Sequence, residues 1–111
     1  MIYQGMSTID PQVNNPANPR LPVLVNLDTN ERHTLVGKSI KVGRAPSNEI
    51  VLADDGYASG EHARFYWNQG WWVEDLMSSN GTKVNDQLVT EPMQLAPGDV
   101  IKVGHTSFRI E

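Results

Sequence analysis

The chain has 111 residues and a mass of 12.3 kDa, which is enough for one domain with a modest core and too little for an enzyme with a separate cofactor domain. Nine Lys and Arg against 13 Asp and Glu give a formal net charge of -4, which argues against binding to a nucleic acid backbone. The sequence has no cysteine, so disulfides, thiolate metal sites and cysteine nucleophiles are excluded.

Residues 1–20 predict a flexible N-terminal arm. They include Pro11, Pro16 and Pro19 and few large apolar residues that a core could bury. The first residues, MIYQGMSTIDPQ, have neither the basic start nor the sustained apolar run of a secretory signal. We therefore expect a protein of the cytoplasm that does not enter a membrane.

From residue 21 to residue 111, short β-prone runs alternate with turn residues, and no segment has the 3.6-residue apolar period of a helix. Several runs alternate apolar and polar residues, as in Ile40, Lys41 and Val42, which predicts strands with one buried and one exposed face. The predicted strands are 23–27, 33–36, 39–42, 50–52, 63–67, 71–75, 82–84, 87–88, 93–95, 100–103 and 107–110. About eleven short strands at this spacing predict an all-β, antiparallel sandwich.

The loops between these strands contain residues suited to binding an anion. Gly43 lets the chain turn sharply after a strand, and Arg44 then offers a planar guanidinium with five donors. Ser59 supplies a hydroxyl, and Gly60 exposes backbone N–H groups that could form a small anion nest. Taken singly, Arg44 is more often a surface ion-pair residue and Ser59 a turn residue.

Two further loop features favour a structural role when each is taken alone. His62 directly precedes a strand, where an imidazole can hydrogen-bond loop backbone and fix its shape. Asn80 and Gly81 are first of all a tight-turn signature, although the amide of Asn80 could also bond to a peptide main chain.

The order and spacing of these features resemble the forkhead-associated (FHA) domain family. The matching segments are VGR at 42–44, NEIVL at 48–52, SGEHA at 59–63, VEDL at 73–76, SNGTKVN at 79–85 and LAPGDVIKVG at 95–104. Each segment is weak alone, but together they form a specific pattern that covers about residues 23–110.

The resemblance implies a noncatalytic β-sandwich, without a cofactor, whose loops at one end bind phosphothreonine peptides of a partner protein in Ser/Thr kinase signalling. Arg44 and Ser59 resemble the family's phosphate-binding arginine and serine, with Gly60 in the same binding loop. Ser79 resembles a residue that adds a further hydroxyl. Asn80 resembles the asparagine that bonds the peptide main chain beside the phosphothreonine.

Other positions are implied to support the site. Gly43 and His62 resemble residues that shape the loops holding the arginine and the serine. Gly81, in the tight turn, and Asn85 are expected to support the peptide-binding loops.

One position departs from the family's pattern. Gly60 stands where many members carry an arginine after the serine, and the segment 54–57 places acidic residues close to the expected phosphate. Lys41, Arg64 and Lys83 are the candidates to supply the missing positive potential. The departure keeps a second function open, an FHA-fold assembly or scaffold domain that binds an unphosphorylated protein partner.

A hydrolase is a third alternative. Ser59 and His62 with Asp55 or Asp75 would form its triad, but no nucleophile elbow or oxyanion loop accompanies them. We expect no metal site either, since the three histidines of the sequence lie on separate predicted elements.

The arm adds one hypothesis about partners. Thr8 lies beside Ser7 in a stretch expected to be accessible to a kinase. A phosphorylated Thr8 could fold back into the site of its own domain, because a tethered ligand has a high effective concentration. The sequence leaves the oligomeric state open.

Overall fold

The structure is a computed structural model that describes residues 21–111. In this part of the chain there are eleven strands: β1 (Val23–Asn26), β2 (Arg32–Thr34), β3 (Ser39–Gly43), β4 (Ile50–Val51), β5 (Ala63–Trp67), β6 (Trp71–Asp75), β7 (Thr82–Val84), β8 (Gln87–Leu88), β9 (Met93–Gln94), β10 (Val100–Val103) and β11 (Thr106–Ile110). The predicted all-β fold is confirmed. No helix in residues 21–111 has the length and apolarity needed to cross a membrane. The predictions for residues 1–20, the flexible arm and the role of Thr8, lie outside the described residues.

The strands form two sheets. One has six strands in the order β2-β1-β11-β10-β7-β8, and the other has five in the order β4-β3-β5-β6-β9. One pair differs from the predicted antiparallel arrangement, because β3 and β4 are parallel, with Val42 beside Ile50. The loop 44–49 carries the chain back to the level of Val42 before β4 begins, so both strands run in the same direction.

The core lies between the sheets and follows from the alternation of residues along each strand. In β10, Ile101 and Val103 are buried while Lys102 between them is exposed. Burying a side chain such as Phe65 contributes about 1.5–3 kcal/mol relative to leaving it in water. The fully buried apolar side chains are Leu24, Val42, Ala63, Phe65, Val73, Ile101, Val103 and Phe108.

The end of β2 differs slightly from the prediction. The strand ends at Thr34 rather than at Val36, whose side chain is 65% exposed. Gly37 follows with a φ of 90°, a left-handed conformation that glycine adopts without steric cost. The chain therefore leaves the sheet here and turns into β3.

The strand register brings the candidate loops to one end of the sandwich. In the five-stranded sheet, Ala63 at the start of β5 pairs with Val42 and Asp75, near the ends of their strands. In the six-stranded sheet, Thr82 at the start of β7 pairs with Val103 at the end of β10. The loops that emerge from this end are 44–49, 52–62, 76–81 and 104–105.

Candidate functional site

Gly43 ends β3 where two loops meet backbone to backbone. A Cβ atom at this position would lie 2.3 Å from the carbonyl oxygen of Gly60 and 2.8 Å from that of Ser59, so only glycine fits. The N–H of Arg44 donates to Ser59 O at 2.9 Å, and the N–H of Ala45 donates to Gly60 O at 3.0 Å. These contacts place Arg44 directly beside Ser59.

The side chain of Arg44 is exposed at this junction. Its Nη1 donates to the carbonyl oxygen of Gly56 across a long 3.4 Å hydrogen bond. A guanidinium has five N–H donors, so most of them remain available to a ligand. Arg44 is thus held loosely over the loop 52–62 with its charge facing solvent.

Ser59 joins this loop to the next one. Its Oγ accepts a hydrogen bond from the N–H of Ser79 at 2.9 Å. The hydroxyl proton of Ser59 is not used in that bond and can be donated to a ligand. The side chain of Ser79 is itself exposed, so two hydroxyls are available beside Arg44.

Asn80 is held by the same loop that holds Arg44. Its Nδ2 donates to the carbonyl oxygen of Tyr57 at 2.8 Å, and its side chain is exposed. Because Arg44 and Asn80 bond to neighbouring carbonyls, those of Gly56 and Tyr57, the segment 54–58 sets the separation between guanidinium and amide. The sequence-predicted binding residues therefore lie together on three loops.

Asp55 anchors the segment 54–58. Its carboxylate accepts hydrogen bonds from His105 N at 2.8 Å, Thr106 Oγ1 at 2.7 Å and Tyr57 N at 3.0 Å. Burial opposes ionisation of Asp55, but these hydrogen bonds outweigh it and hold its pKa below the usual value. The carboxylate expected near the phosphate is thus engaged by the turn between β10 and β11.

His62 is completely buried and joins the loop 52–62, the serine loop, to the loop 76–81, the asparagine loop. Its Nδ1 accepts a hydrogen bond from the N–H of Ser59 at 3.0 Å. Its Nε2 lies 2.8 Å from the carbonyl oxygen of Gly81, so the proton must be on Nε2. Both ring nitrogens are bonded to main chain, and the Ser–His–Asp arrangement that a hydrolase would need is not formed.

Asp75 fixes the loop 76–81 and is absent from the predicted binding residues. Its Oδ1 accepts from Ser78 Oγ at 2.5 Å and from Thr82 Oγ1 at 2.7 Å, and its Oδ2 accepts from Ser78 N at 3.0 Å. Burial raises the pKa of Asp75, but the hydrogen bonds from Ser78 and Thr82 lower it further, to below its usual value. The serine three residues after the aspartate is the pattern that could have revealed this turn.

Asn48 is a second supporting residue outside the predicted set. Its buried Nδ2 donates to Ala45 O and to Gly60 O, both at 2.7 Å. One amide therefore ties the loop 44–49, which carries Arg44, to the serine loop. Asn48 lies in the family-like segment 48–52, but its role could not be read from spacing alone because both acceptors are backbone atoms.

Asn85 lies away from the site. It sits beyond the end of β7, where its Nδ2 donates to Asp99 Oδ1 and its Oδ1 accepts from Val100 N, each at 3.0 Å. The positive φ of Asn85 (49°) and of Asp86 (68°) makes this the turn between β7 and β8. Asn85 therefore stabilises the opposite end of β7 rather than the candidate binding loops.

The three cations considered as substitutes for an arginine at position 60 differ in their pairing. Lys41 Nζ lies 3.3 Å from Glu61, and Arg64 lies 2.5 Å from Glu74. Lys83 is in no ion pair among the residues that the structure describes. In the same part of the chain, no group of three or more His, Asp and Glu could hold a metal ion.

Comparison with known proteins places this geometry in context. Residues 40–104 match the family model of the FHA domain. FhaB of Mycobacterium tuberculosis, described as an FHA domain-containing protein, is 37% identical over 83 residues, which are 74% of this chain and 53% of the relative. The chain thus spans about half the length of this curated relative.

Two solved structures are similar in fold. The FHA domain of FhaA, solved in complex with the intracellular domain of Rv3910, has a TM-score of 0.76 and 33% identity, with 81% of this chain and 99% of the other covered. A chain from a structural and functional analysis of phosphothreonine-dependent FHA domain interactions has a TM-score of 0.77 and 32% identity, with 82% and 95% covered.

Replacing His62 with alanine should destabilise the domain. The N–H of Ser59 and the carbonyl of Gly81 would lose their partner, and we expect a loss of about 2–4 kcal/mol in the free energy of unfolding, measured by urea denaturation. His105→Ala, at an exposed histidine, is the control and should cost less than about 1 kcal/mol. Equal stabilities for the two variants would contradict the bridging role of His62.

Acid should weaken the loop 76–81 through Asp75. A carboxyl whose folded-state pKa lies below its unfolded value stabilises the fold above that unfolded value, about 3.9, and this stabilisation is lost as the pH falls through the folded pKa. We expect the free energy of unfolding to decrease below about pH 4, and Asp75→Asn to reduce this dependence. Asp54→Asn, at an exposed carboxylate, is the control, and an unchanged acid slope in Asp75→Asn would refute the assignment.

Proposed function

Because the chain belongs to the FHA domain family, we propose that residues 21–111 form a noncatalytic module that binds phosphothreonine peptides of a partner protein. The observation that supports this most is the joining of three loops by direct hydrogen bonds. Arg44 N bonds to the carbonyl of Ser59, Ser59 Oγ accepts from Ser79 N, and Asn80 is tied to Tyr57 in the serine loop. A guanidinium, two hydroxyls and an amide are thereby presented together to solvent.

This set of groups fits the chemistry of a phosphorylated threonine. The phosphate brings nearly two negative charges and three acceptor oxygens, and Arg44, Ser59, Ser79 and Asn80 offer N–H and O–H donors in return. If each charge-assisted hydrogen bond contributes about 1.5–3 kcal/mol, three of them account for most of the roughly -8 kcal/mol of a micromolar complex. The unmodified peptide would lose all three and should scarcely bind.

The surroundings of the site favour binding over catalysis. The one imidazole in contact with Ser59 has both nitrogens bonded to main chain, so it is not available as a general base. The partner we propose is a protein phosphorylated by a Ser/Thr kinase in the cytoplasm. Thr8 of the arm stays a candidate for the same site, and nucleic acid is disfavoured by the net charge of -4.

A phosphopeptide array tests the proposal directly. Peptides with central phosphothreonine, phosphoserine or threonine are probed with wild type, Arg44→Ala and Arg109→Ala, the last a control at an arginine that pairs with Glu111. We expect phosphothreonine-dependent binding that Arg44→Ala weakens by about tenfold or more, because a bond to the phosphate is lost, and that Arg109→Ala leaves unchanged. Equal binding of phosphorylated and unphosphorylated peptides would reject the proposal and favour an assembly domain.

Gly60→Arg should strengthen binding. A Cβ at position 60 would meet only Ala45 Cβ, at 4.0 Å, and the φ of Gly60 lies outside the left-handed region, so an arginine fits without strain. An exposed ion pair is worth about 0.2–1 kcal/mol, which corresponds to a gain of up to about fivefold in calorimetric affinity. Gly60→Gln is the control, because it adds a long side chain without a charge, and it should give no gain in affinity. A loss of affinity in Gly60→Arg would show that the loop cannot carry this side chain.

A further inference from the structure

Two exposed lysines stand side by side on the outer face of the six-stranded sheet. Lys83 of β7 and Lys102 of β10 are direct cross-strand partners. Each lies between buried neighbours in its strand, so both side chains point away from the core. Directly opposed residues in an antiparallel pair have Cβ atoms about 4.5–5.5 Å apart, a distance at which two like charges repel and destabilise the sheet.

Within residues 21–111, no acidic side chain lies beside these lysines in the row across the sheet. Lys83 also faces Leu88 on β8, and Lys102 also faces Ser107 on β11, so the row that crosses four strands contains two cations and no anion. Neither lysine is in any of the ion pairs formed among residues 21–111. The stability of the fold therefore gives no reason for this pairing in a chain whose net charge is -4.

The lysines continue the candidate peptide-binding surface. They border a notch of about 80 Å³ whose walls also include residues of the binding loops. Asn80 and Tyr57 both line the notch, and the amide of Asn80 donates to the carbonyl oxygen of Tyr57. The full lining is Tyr57, Asn80, Gly81, Lys83, Lys102 and Gly104. A peptide that contacts Asn80 can therefore reach both ammonium groups, whereas Arg44 lies outside the notch.

An acid behind one wall residue of the notch is already engaged. Asp55 lies behind Gly104, where a Cβ would come within 2.6 Å of its Oδ2. Its carboxylate accepts hydrogen bonds from the main chain of His105 and Tyr57 and from the hydroxyl of Thr106. These three donors engage its oxygens, and Asp55 forms no ion pair with Lys83 or Lys102.

We propose that Lys83 and Lys102 form a second anion subsite, which selects phosphothreonine peptides carrying a further anionic group, a carboxylate or a second phosphate, away from the phosphothreonine. The inference rests on the proposed function, because the peptide must first bind through Arg44 and Ser59. Two exposed ammonium groups next to one anion should raise affinity by about three- to tenfold at low ionic strength, and less at high salt.

The test uses a nine-residue alanine-based peptide with a central phosphothreonine as the parent probe. Derived peptides carry glutamate or phosphoserine at one other position at a time, and binding is measured by fluorescence anisotropy at low and high salt. The proteins are wild type, Lys83→Gln, Lys102→Gln, the double variant and Arg44→Ala. Lys38→Gln is the matched control, since Lys38 is an exposed lysine just before β3, at the opposite end of that strand from Arg44.

We expect an anion at one position, or at two adjacent ones, to improve wild-type binding by three- to tenfold, with phosphoserine above glutamate. The double variant should lose this improvement, and Lys38→Gln should keep it. The thermal midpoint of the double variant should equal or exceed that of wild type, because the repulsion is removed.

An improvement that persists in the double variant, or no improvement at any position, would overturn the inference while leaving the proposed function intact. A parent probe that fails to bind wild type, or that binds Arg44→Ala equally well, would instead overturn the proposed function and the inference with it.

Discussion

The geometry of the candidate binding loops depends on one buried imidazole. His62 accepts from the main chain of the loop between β4 and β5 and donates to the main chain of the loop between β6 and β7, so these two irregular segments are joined by one side chain. The chain has no cysteine to form a covalent link between them. Hydrogen bonds inside a protein are strong, and a buried donor or acceptor without a partner is costly. Loss of the imidazole would therefore leave both the N–H of Ser59 and the carbonyl of Gly81 without a partner.

Buried and exposed polar residues have different roles in the candidate binding loops. Asn48 and His62 are buried and bond to loop backbone, whereas Arg44 and Asn80 are exposed and make only one side-chain bond each within the site. Rigid loops that present free donors lower the ordering cost of binding. A small residue also shapes this end, because the close backbone contact at Gly43 places Arg44 beside Ser59.

The sequence predicts what depends on local pattern and misses what depends on contacts between distant strands. The eleven strands follow from alternation and turn residues, and the order of the loop motifs points to the residues that meet at one end. The parallel β3–β4 pair, the bonds from Asp55 to the turn near His105 and the opposition of Lys83 and Lys102 require the register of strands far apart in the chain. The role of Asn85 was predicted wrongly for the same reason. It follows β7, and the direction of that strand places it at the end away from the candidate binding loops.

One residue with a strained backbone lies in the loop 76–81 of the candidate site. Met77 has a φ of 57°, a conformation that costs a residue other than glycine about 1–3 kcal/mol, and its side chain is 97% exposed. It lies in the loop that carries Asn80, held in shape by the bonds of Asp75 to Ser78. A loop that was free to relax would move Met77 out of this conformation. The strain persists because Asp75 and His62 fix the segment on both sides, so the core of the sandwich supports a loop shape that the loop residues alone would not keep.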